Sequence, residues 1–282
     1  MKVVTFVNMK GGVGKTTVAV NVADALARRH DKRVLIVDVD PQFNATQCLY
    51  SGDDYVEMRA DPTTHTIFDL FNDGVIPVVS PISGISETEP LDVEDIRPWK
   101  YRDNLHILAG NLEIYRLDMA PGSGRELRLK RYVEALAKAD VYDYVVIDTP
   151  PTPSTFMTSA ILASDYYVIP VRPEPLSRVG IDLLTGVIAR VIKNHGHKIE
   201  NAGVVLTMMD ARTTVYYDAL SFLDSDEKWA GKRFKTVLPQ RTQIAKNQGD
   251  QRLILDSNKE DAKRAIAGIT NELLERVGDD GI

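Results

Sequence analysis

Cysteine is nearly missing from this chain: Cys48 stands alone among 282 residues. One thiol cannot build a disulfide framework, a CxxC metal site or an iron–sulfur cluster held by several cysteines. A reducing compartment is expected, with Cys48 as a small buried apolar residue. No apolar run approaches the length of a bilayer span, so no transmembrane helix is expected. No charged segment followed by an apolar stretch opens the chain, so no secretory leader is expected. Cationic excess is missing too: 34 Lys and Arg face 40 Asp and Glu, a net charge of −6, with a pI near 5.5. That balance argues against a basic DNA-coating protein but allows a local basic patch. No internal repeat is visible.

What the chain does contain is enough apolar material, 44% of residues, for a full core in one domain spanning 1–282. Apolar runs at 2–7, 33–38, 105–108, 144–148, 166–171, 202–207 and 235–238 read as strands. Helical windows fall at 16–29, 124–139, 154–163, 177–193, 212–223 and 258–276. Their alternation predicts an α/β fold: a single three-layer domain, with a mostly parallel twisted sheet and helices on both faces. Ser123 with Glu126, and Ser257 with Glu260, predict capping boxes. Residues 51–103 carry Pro77, Pro81, Pro90 and Pro98 among serines and acids, and predict an irregular, exposed insertion with a short helix at 66–72. That insertion is a candidate partner surface.

The most informative stretch is Lys10-Gly11-Gly12-Val13-Gly14-Lys15-Thr16-Thr17, between the first strand and the first helix. Strand, glycine loop, helix is the context of a phosphate-binding loop. Glycines let backbone N–H groups close on phosphate oxygens, and the helix N-terminus favours anions. Lys15 is placed to reach β/γ-phosphates and the Thr16 hydroxyl to ligate Mg²⁺. The generic spacing demands glycine where Met9 stands, and Lys10 opens the loop instead. Two further strand ends carry carboxylates. Asp38 and Asp40 flank Val39, so in extended chain they point to the same side. Val145-Val146-Ile147 runs into Asp148, the pattern of a Mg²⁺-contacting aspartate.

The lysine-first loop, the segment Asp38-Val39-Asp40-Pro41-Gln42-Phe43-Asn44-Ala45-Thr46 and the run Asp148-Thr149-Pro150-Pro151 resemble signature segments of the ParA/MinD family of deviant Walker A ATPases. The likeness is nearest to ParA/Soj-like partition ATPases without an N-terminal DNA-binding domain. It implies ATP hydrolysis, with ATP and Mg²⁺ held by residues 10–17. It implies that Lys10 crosses to the nucleotide of a second subunit, that Asp40 positions the attacking water, and that Asp38 and Asp148 serve Mg²⁺. It also assigns the loop after Leu238 and Pro239 to the adenine, making Pro239 a candidate base contact. Beyond Pro239 the pattern departs from the family. Its Arg-Asn-x-Arg run reads Gln240-Arg241-Thr242-Gln243 here, with Gln243 at a position that is basic in DNA-binding relatives.

Relatives of this kind partition DNA, pattern membranes or position other cargo. The chain from Glu272 to Ile282 is acidic, so membrane binding is not expected. Lys228, Lys232, Arg233, Lys235, Arg252, Lys259, Lys263 and Arg264 make the last third locally basic. The expectation is an ATP-bound homodimer that binds double-stranded DNA without sequence preference, through Arg212, Arg241 and Lys246. A ParB-like or adaptor partner would stimulate hydrolysis and release it. The expected location is cytoplasmic and nucleoid-associated. A small-molecule enzyme on the same fold and a MinD-like membrane-patterning ATPase are the alternatives.

Overall fold

The first strand, β1 (Lys2–Phe6), lies inside a sheet. In the computed structural model the described residues are 1–74, 78–80, 84–86, 90–119, 124–174, 177–209, 213–240, 244 and 249–279. Among them the other strands are β2 (Val34–Asp38), β3 (Val78–Ser80), β4 (Gly84–Ser86), β5 (Trp99–Arg102), β6 (Leu105–Leu108), β7 (Tyr144–Asp148), β8 (Tyr166–Val171) and β9 (Glu200–Leu206). Seven of these form one sheet in the order β5-β6-β2-β7-β1-β8-β9. Every pairing is parallel except β5 with β6, and β3 and β4 form a separate antiparallel ribbon. The central strands are apolar at nearly every position because helices cover both faces.

Side-chain alternation divides the core. Val4, Phe6, Ile36 and Val146 face α1 (Lys15–Arg29) and the C-terminal helix Glu260–Arg276. Val3, Leu35, Val37, Val145 and Ile147 face the opposite layer. That layer includes α4 (Ile67–Phe71), α5 (Ile114–Asp118), α6 (Arg128–Ala139) and α7 (Thr155–Ala163). Further along the same face, α8 (Ser177–His195) and α9 (Thr214–Ser225) pack on β8 and β9. The short α2 (Asn44–Gln47) and α3 (Gly52–Ala60) follow β2, and the C-terminal helix Glu260–Arg276 is α10. The three-layer α/β expectation therefore holds.

Three sequence expectations change. In 51–103 the short helix expected at 66–72 is present as α4, and α3 has no buried residue, but the described part holds more regular structure than expected. Helix α3 opens with a capping box between Ser51 and Asp54, and α4 with one between Thr66 and Asp69. β5 joins the main sheet, with Trp99 fully buried against the rings of Tyr50 and Tyr55, while Ile67, Phe68 and Phe71 of α4 are buried on the opposite face. The 235–238 run forms no continuous strand. Phe234 and Leu238 donate to Val204 and Leu206 of β9, but the N–H groups of Lys235 and Thr236 go to the Glu272 carboxylate, 2.7 Å each. A side chain of α10 thereby takes bonds a strand needs for its ladder. The Ser257–Glu260 box is also replaced. Lys259 is the N-cap of α10, and the Ser257 hydroxyl donates to the Ile254 carbonyl at 2.7 Å. Ser123 lies outside the described residues.

The segment 249–257 crosses α1. Buried Asn21 accepts from the Ile254 N–H at 2.6 Å and donates to the Thr17 carbonyl at 2.8 Å. Asp24, also on α1 and fully buried, lies 3.3 Å from Arg28 and 3.6 Å from Arg102, and both arginines reach Asp256. Burial raises the Asp24 carboxyl above its usual range, and the two arginines pull it back. Two neutralising cations keep this buried carboxylate tolerable.

Candidate nucleotide site

The parallel register brings three strand ends together: Phe6 pairs with Asp148, and Asp38 pairs with Asp148. Ligands bind outside the carboxyl ends of such strands. The cavity there measures about 670 Å³ and includes Gly11, Gly12, Gly14, Lys15, Thr16 and Asp40 in its wall. Gly12 and Gly14 adopt positive φ of 70° and 80°, a conformation glycine enters without strain. Gly14 is the N-cap of α1, so that helix aims its N-terminus at the cavity. Around Gly11 and Gly12 nothing stands within 4 Å of where a β-carbon would sit, leaving the backbone open to a ligand.

The loop is braced from outside. Asn8 donates to the Pro170 carbonyl at 2.7 Å and accepts from the Lys10 N–H at 2.9 Å. Thr207, after β9, donates to the Val13 carbonyl at 2.6 Å. Val13 is buried, so it shapes the loop while its neighbours line the cavity.

Lys15 and Thr16 start α1 and point into the cavity. The Thr16 hydroxyl donates to one Asp148 oxygen at 2.7 Å, and the other Asp148 oxygen is buried with no partner. Burial raises the Asp148 carboxyl, opposed by Thr16 and Lys15. Burial lowers the Lys15 ammonium, opposed by Asp148 and Asp40. Its amine also reaches the Lys10 carbonyl at 3.4 Å. Asp40 lines the cavity and accepts from the Gln42 N–H at 3.0 Å; burial raises its carboxyl. One basic and two acidic groups with shifted protonation gather in this cleft, the arrangement that functional sites commonly use.

Asp38 is placed differently from Asp40. It is fully buried, and one oxygen accepts from the Thr46 N–H and hydroxyl, both at 2.8 Å. Its other oxygen lies 3.3 Å from the Asp40 N–H. Asp38 thus ties the loop carrying Asp40 to the strand. Lys10 is half-exposed and forms an ion pair with Glu174, beyond β8, so its amine is turned away from its own cavity. Pro239 pairs with Met209 and is not among the cavity-lining residues; on that side Met208, Gly249 and Gln251 line it. Arg212, Arg241, Gln243 and Lys246 lie outside the described residues.

The sequence pattern left several contributors unassigned: Thr46, Thr207, Phe43, Tyr55 and Gln251. Thr46 stands inside the motif that carries Asp38. Phe43 stands in that motif too; Thr207, Tyr55 and Gln251 reach the site only through tertiary packing.

A family model described as an AAA domain matches residues 1–201. The sporulation initiation inhibitor protein Soj of Bacillus subtilis is 33% identical over 247 residues, covering 86% of each chain. The chromosome partitioning protein ParA of Caulobacter vibrioides is 30% identical over 245 residues, 87% of this chain and 83% of that one. The chain belongs to the ParA/MinD family. A ParA/MinD fold is also what the solved structures show: a plasmid partition protein of Borrelia burgdorferi, bound to AMPPNP, aligns with a TM-score of 0.75 at 20% identity, covering 98% of both chains. Membership accounts for the lysine-first loop and the placement of Asp40 and Asp148 around one cleft. Among the described residues no helix is long and apolar enough to cross a membrane.

Proposed function

We propose that the chain hydrolyses ATP with Mg²⁺, as an ATP-dependent homodimer that partitions DNA or positions another cargo. The observation that carries this reading is the pair formed by Thr16 and Asp148, with one Asp148 oxygen unpartnered beside buried Lys15. A hydroxyl and a carboxylate at a helix N-terminus are the donor set of a Mg²⁺–phosphate site. Bound there, Mg²⁺ would neutralise charge on the phosphates.

The remaining work falls to this chain's own side chains. The loop N–H groups and the α1 N-terminus hold the phosphates. Lys15 neutralises the β/γ-phosphates. Asp40, on the cavity wall, orients a water for in-line attack at the γ-phosphorus; the P–O bond to ADP breaks and phosphate leaves. Lys10 reaches the second subunit's nucleotide once it leaves Glu174. The dimer doubles the cationic contacts that one acidic monomer presents, so duplex binding without sequence preference needs ATP. Arg212, Arg241 and Lys246 are the proposed contacts. A ParB-like or adaptor protein accelerates hydrolysis and ends DNA binding, in a cytoplasmic, nucleoid-associated cycle.

The test is steady-state ATP turnover, with and without DNA, for the wild type and Asp40→Ala. Asp40→Ala should keep ATP binding and lose at least about a hundredfold in kcat, the scale on which a positioned acid–base group acts. Turnover at the wild-type rate in Asp40→Ala contradicts the assignment. Turnover that ignores DNA but responds to a metabolite would instead favour a small-molecule enzyme.

A further inference from the structure

We propose that Tyr55 is a positioning residue for Asp40, acting through its stacked contact with Phe43. The proposal rests on the reading of Asp40 given above and adds a residue from the region 51–103, whose role the motifs leave open.

Phe43 is the N-cap of α2, with φ 43° and ψ 40°, in the left-handed region. A β-carbon is crowded there, so a phenylalanine holds that shape only when its surroundings impose it. Phe43 also closes the turn that carries the catalytic carboxylate: its N–H donates to the Asp40 carbonyl at 2.8 Å. Whatever holds Phe43 therefore holds Asp40.

Two features hold it. The Phe43 ring stacks on Tyr55, with centroids 5.3 Å apart and planes 23° from parallel. Behind it, Gly110 leaves the necessary room. A β-carbon on Gly110 would lie 2.4 Å from the Phe43 Cβ and 2.9 Å from an Asp38 oxygen. Tyr55 is fixed in turn. Its hydroxyl donates to the Gly110 carbonyl at 3.1 Å, and its ring lies 5.4 Å from that of Trp99. The capping box of Ser51 and Asp54 starts the helix that delivers it. No residue of α3 is fully buried, yet Tyr55, Ser51 and Gly52 line the same cavity as Asp40. The stacked rings thus join a surface helix to the turn bearing the water-orienting carboxylate. An apolar filler in the wall would need neither the left-handed backbone nor a glycine behind it.

A displacement of about 1 Å in a catalytic group can cost on the order of a hundredfold in rate. The experiment measures single-turnover and steady-state ATP hydrolysis, ATP affinity and melting temperature for the wild type, Asp40→Ala, Tyr55→Ala, Tyr55→Phe, Phe43→Gly and the Phe43→Gly/Tyr55→Ala pair. Tyr55→Ala should lower kcat by roughly ten- to a hundredfold, a loss larger than its falls in ATP affinity and in folded fraction account for. Tyr55→Phe should recover most of that loss, because the ring stack survives. Glycine at position 43 accepts the same φ but has no ring, so adding Tyr55→Ala to it should cost no further turnover. Unchanged kcat in Tyr55→Ala, alongside lost turnover in Asp40→Ala, overturns the proposal and leaves the Asp40 reading standing. So do losses that multiply in the double variant, or a kcat that falls only with the folded fraction. Wild-type turnover in Asp40→Ala overturns both readings together.

Discussion

Removing the Asn21 carboxamide should loosen the far wall of the nucleotide cavity while sparing its motifs. Asn21 is fully buried on α1, and its oxygen is the acceptor for the Ile254 N–H at 2.6 Å. Ile254 is itself buried, so no water replaces that acceptor. A buried donor left without a partner costs about 1–3 kcal/mol. In Asn21→Ala the shortened side chain also leaves a small cavity, which places the total in the upper part of that range, about 2–3 kcal/mol. At roughly 2–4 °C per kcal/mol for a chain near this size, the melting temperature should fall by roughly 4–12 °C. Asn21→Leu fills the volume but offers no acceptor, so it should lose a similar amount. Gly249 and Gln251 sit in the same crossing segment and line the cavity, so ATP affinity should fall in both variants as well. Scanning calorimetry and an ATP titration read the two effects. Melting within about 1 °C of the wild type in both variants, the range of a neutral surface change, would refute the argument that this bond pins the segment.

Two further outcomes follow from the site. Lys15→Ala should abolish ATP binding as well as turnover, because Lys15 lies buried beside Asp148 and Asp40 and its contacts belong to the ground state; calorimetry with ATP and Mg²⁺ checks this. Duplex binding should require ATP and weaken steeply with salt, log affinity falling with a slope of about −0.9 per phosphate contact; replacing Arg241 or Lys246 should make that slope shallower by about one contact each, read by fluorescence anisotropy.

Much of the site was legible because its chemistry is local. The phosphate loop joins one strand to one helix, and its glycines, lysines and Thr16 are consecutive. Asp38, Asp40 and Asp148 announce themselves as acids at the ends of apolar runs. What the sequence hides is set by distant partners. Trp99, Ile67 and Phe71 look like apolar residues scattered through a proline-rich, acidic stretch. Burial of Trp99 depends on β5 pairing with β6, and that of Ile67 and Phe71 on α4 packing in the opposite layer, where Phe71 meets Phe156 of α7. The 235–238 run has a strand's composition, and only the reach of Glu272 from α10 explains why its ladder breaks. Asp38 and Asp40 are alike in sequence, yet Thr46 claims one while the cavity keeps the other. Phe43 gives no sign of its left-handed backbone, because that conformation depends on Tyr55 and Gly110.

ATP is proposed to join two copies of this chain through Lys10. In the single chain Lys10 is paired with Glu174 and is absent from the wall of its own cavity. An ammonium that meets phosphate only across an interface links nucleotide binding to dimerisation, each strengthening the other. Light scattering with a slowly hydrolysed ATP analogue and Mg²⁺, on the wild type and Lys10→Ala in parallel, measures that link. The wild type should form a dimer, and Lys10→Ala should stay a monomer that still binds nucleotide. Equal dimerisation of the two proteins would contradict a role for Lys10 across the interface.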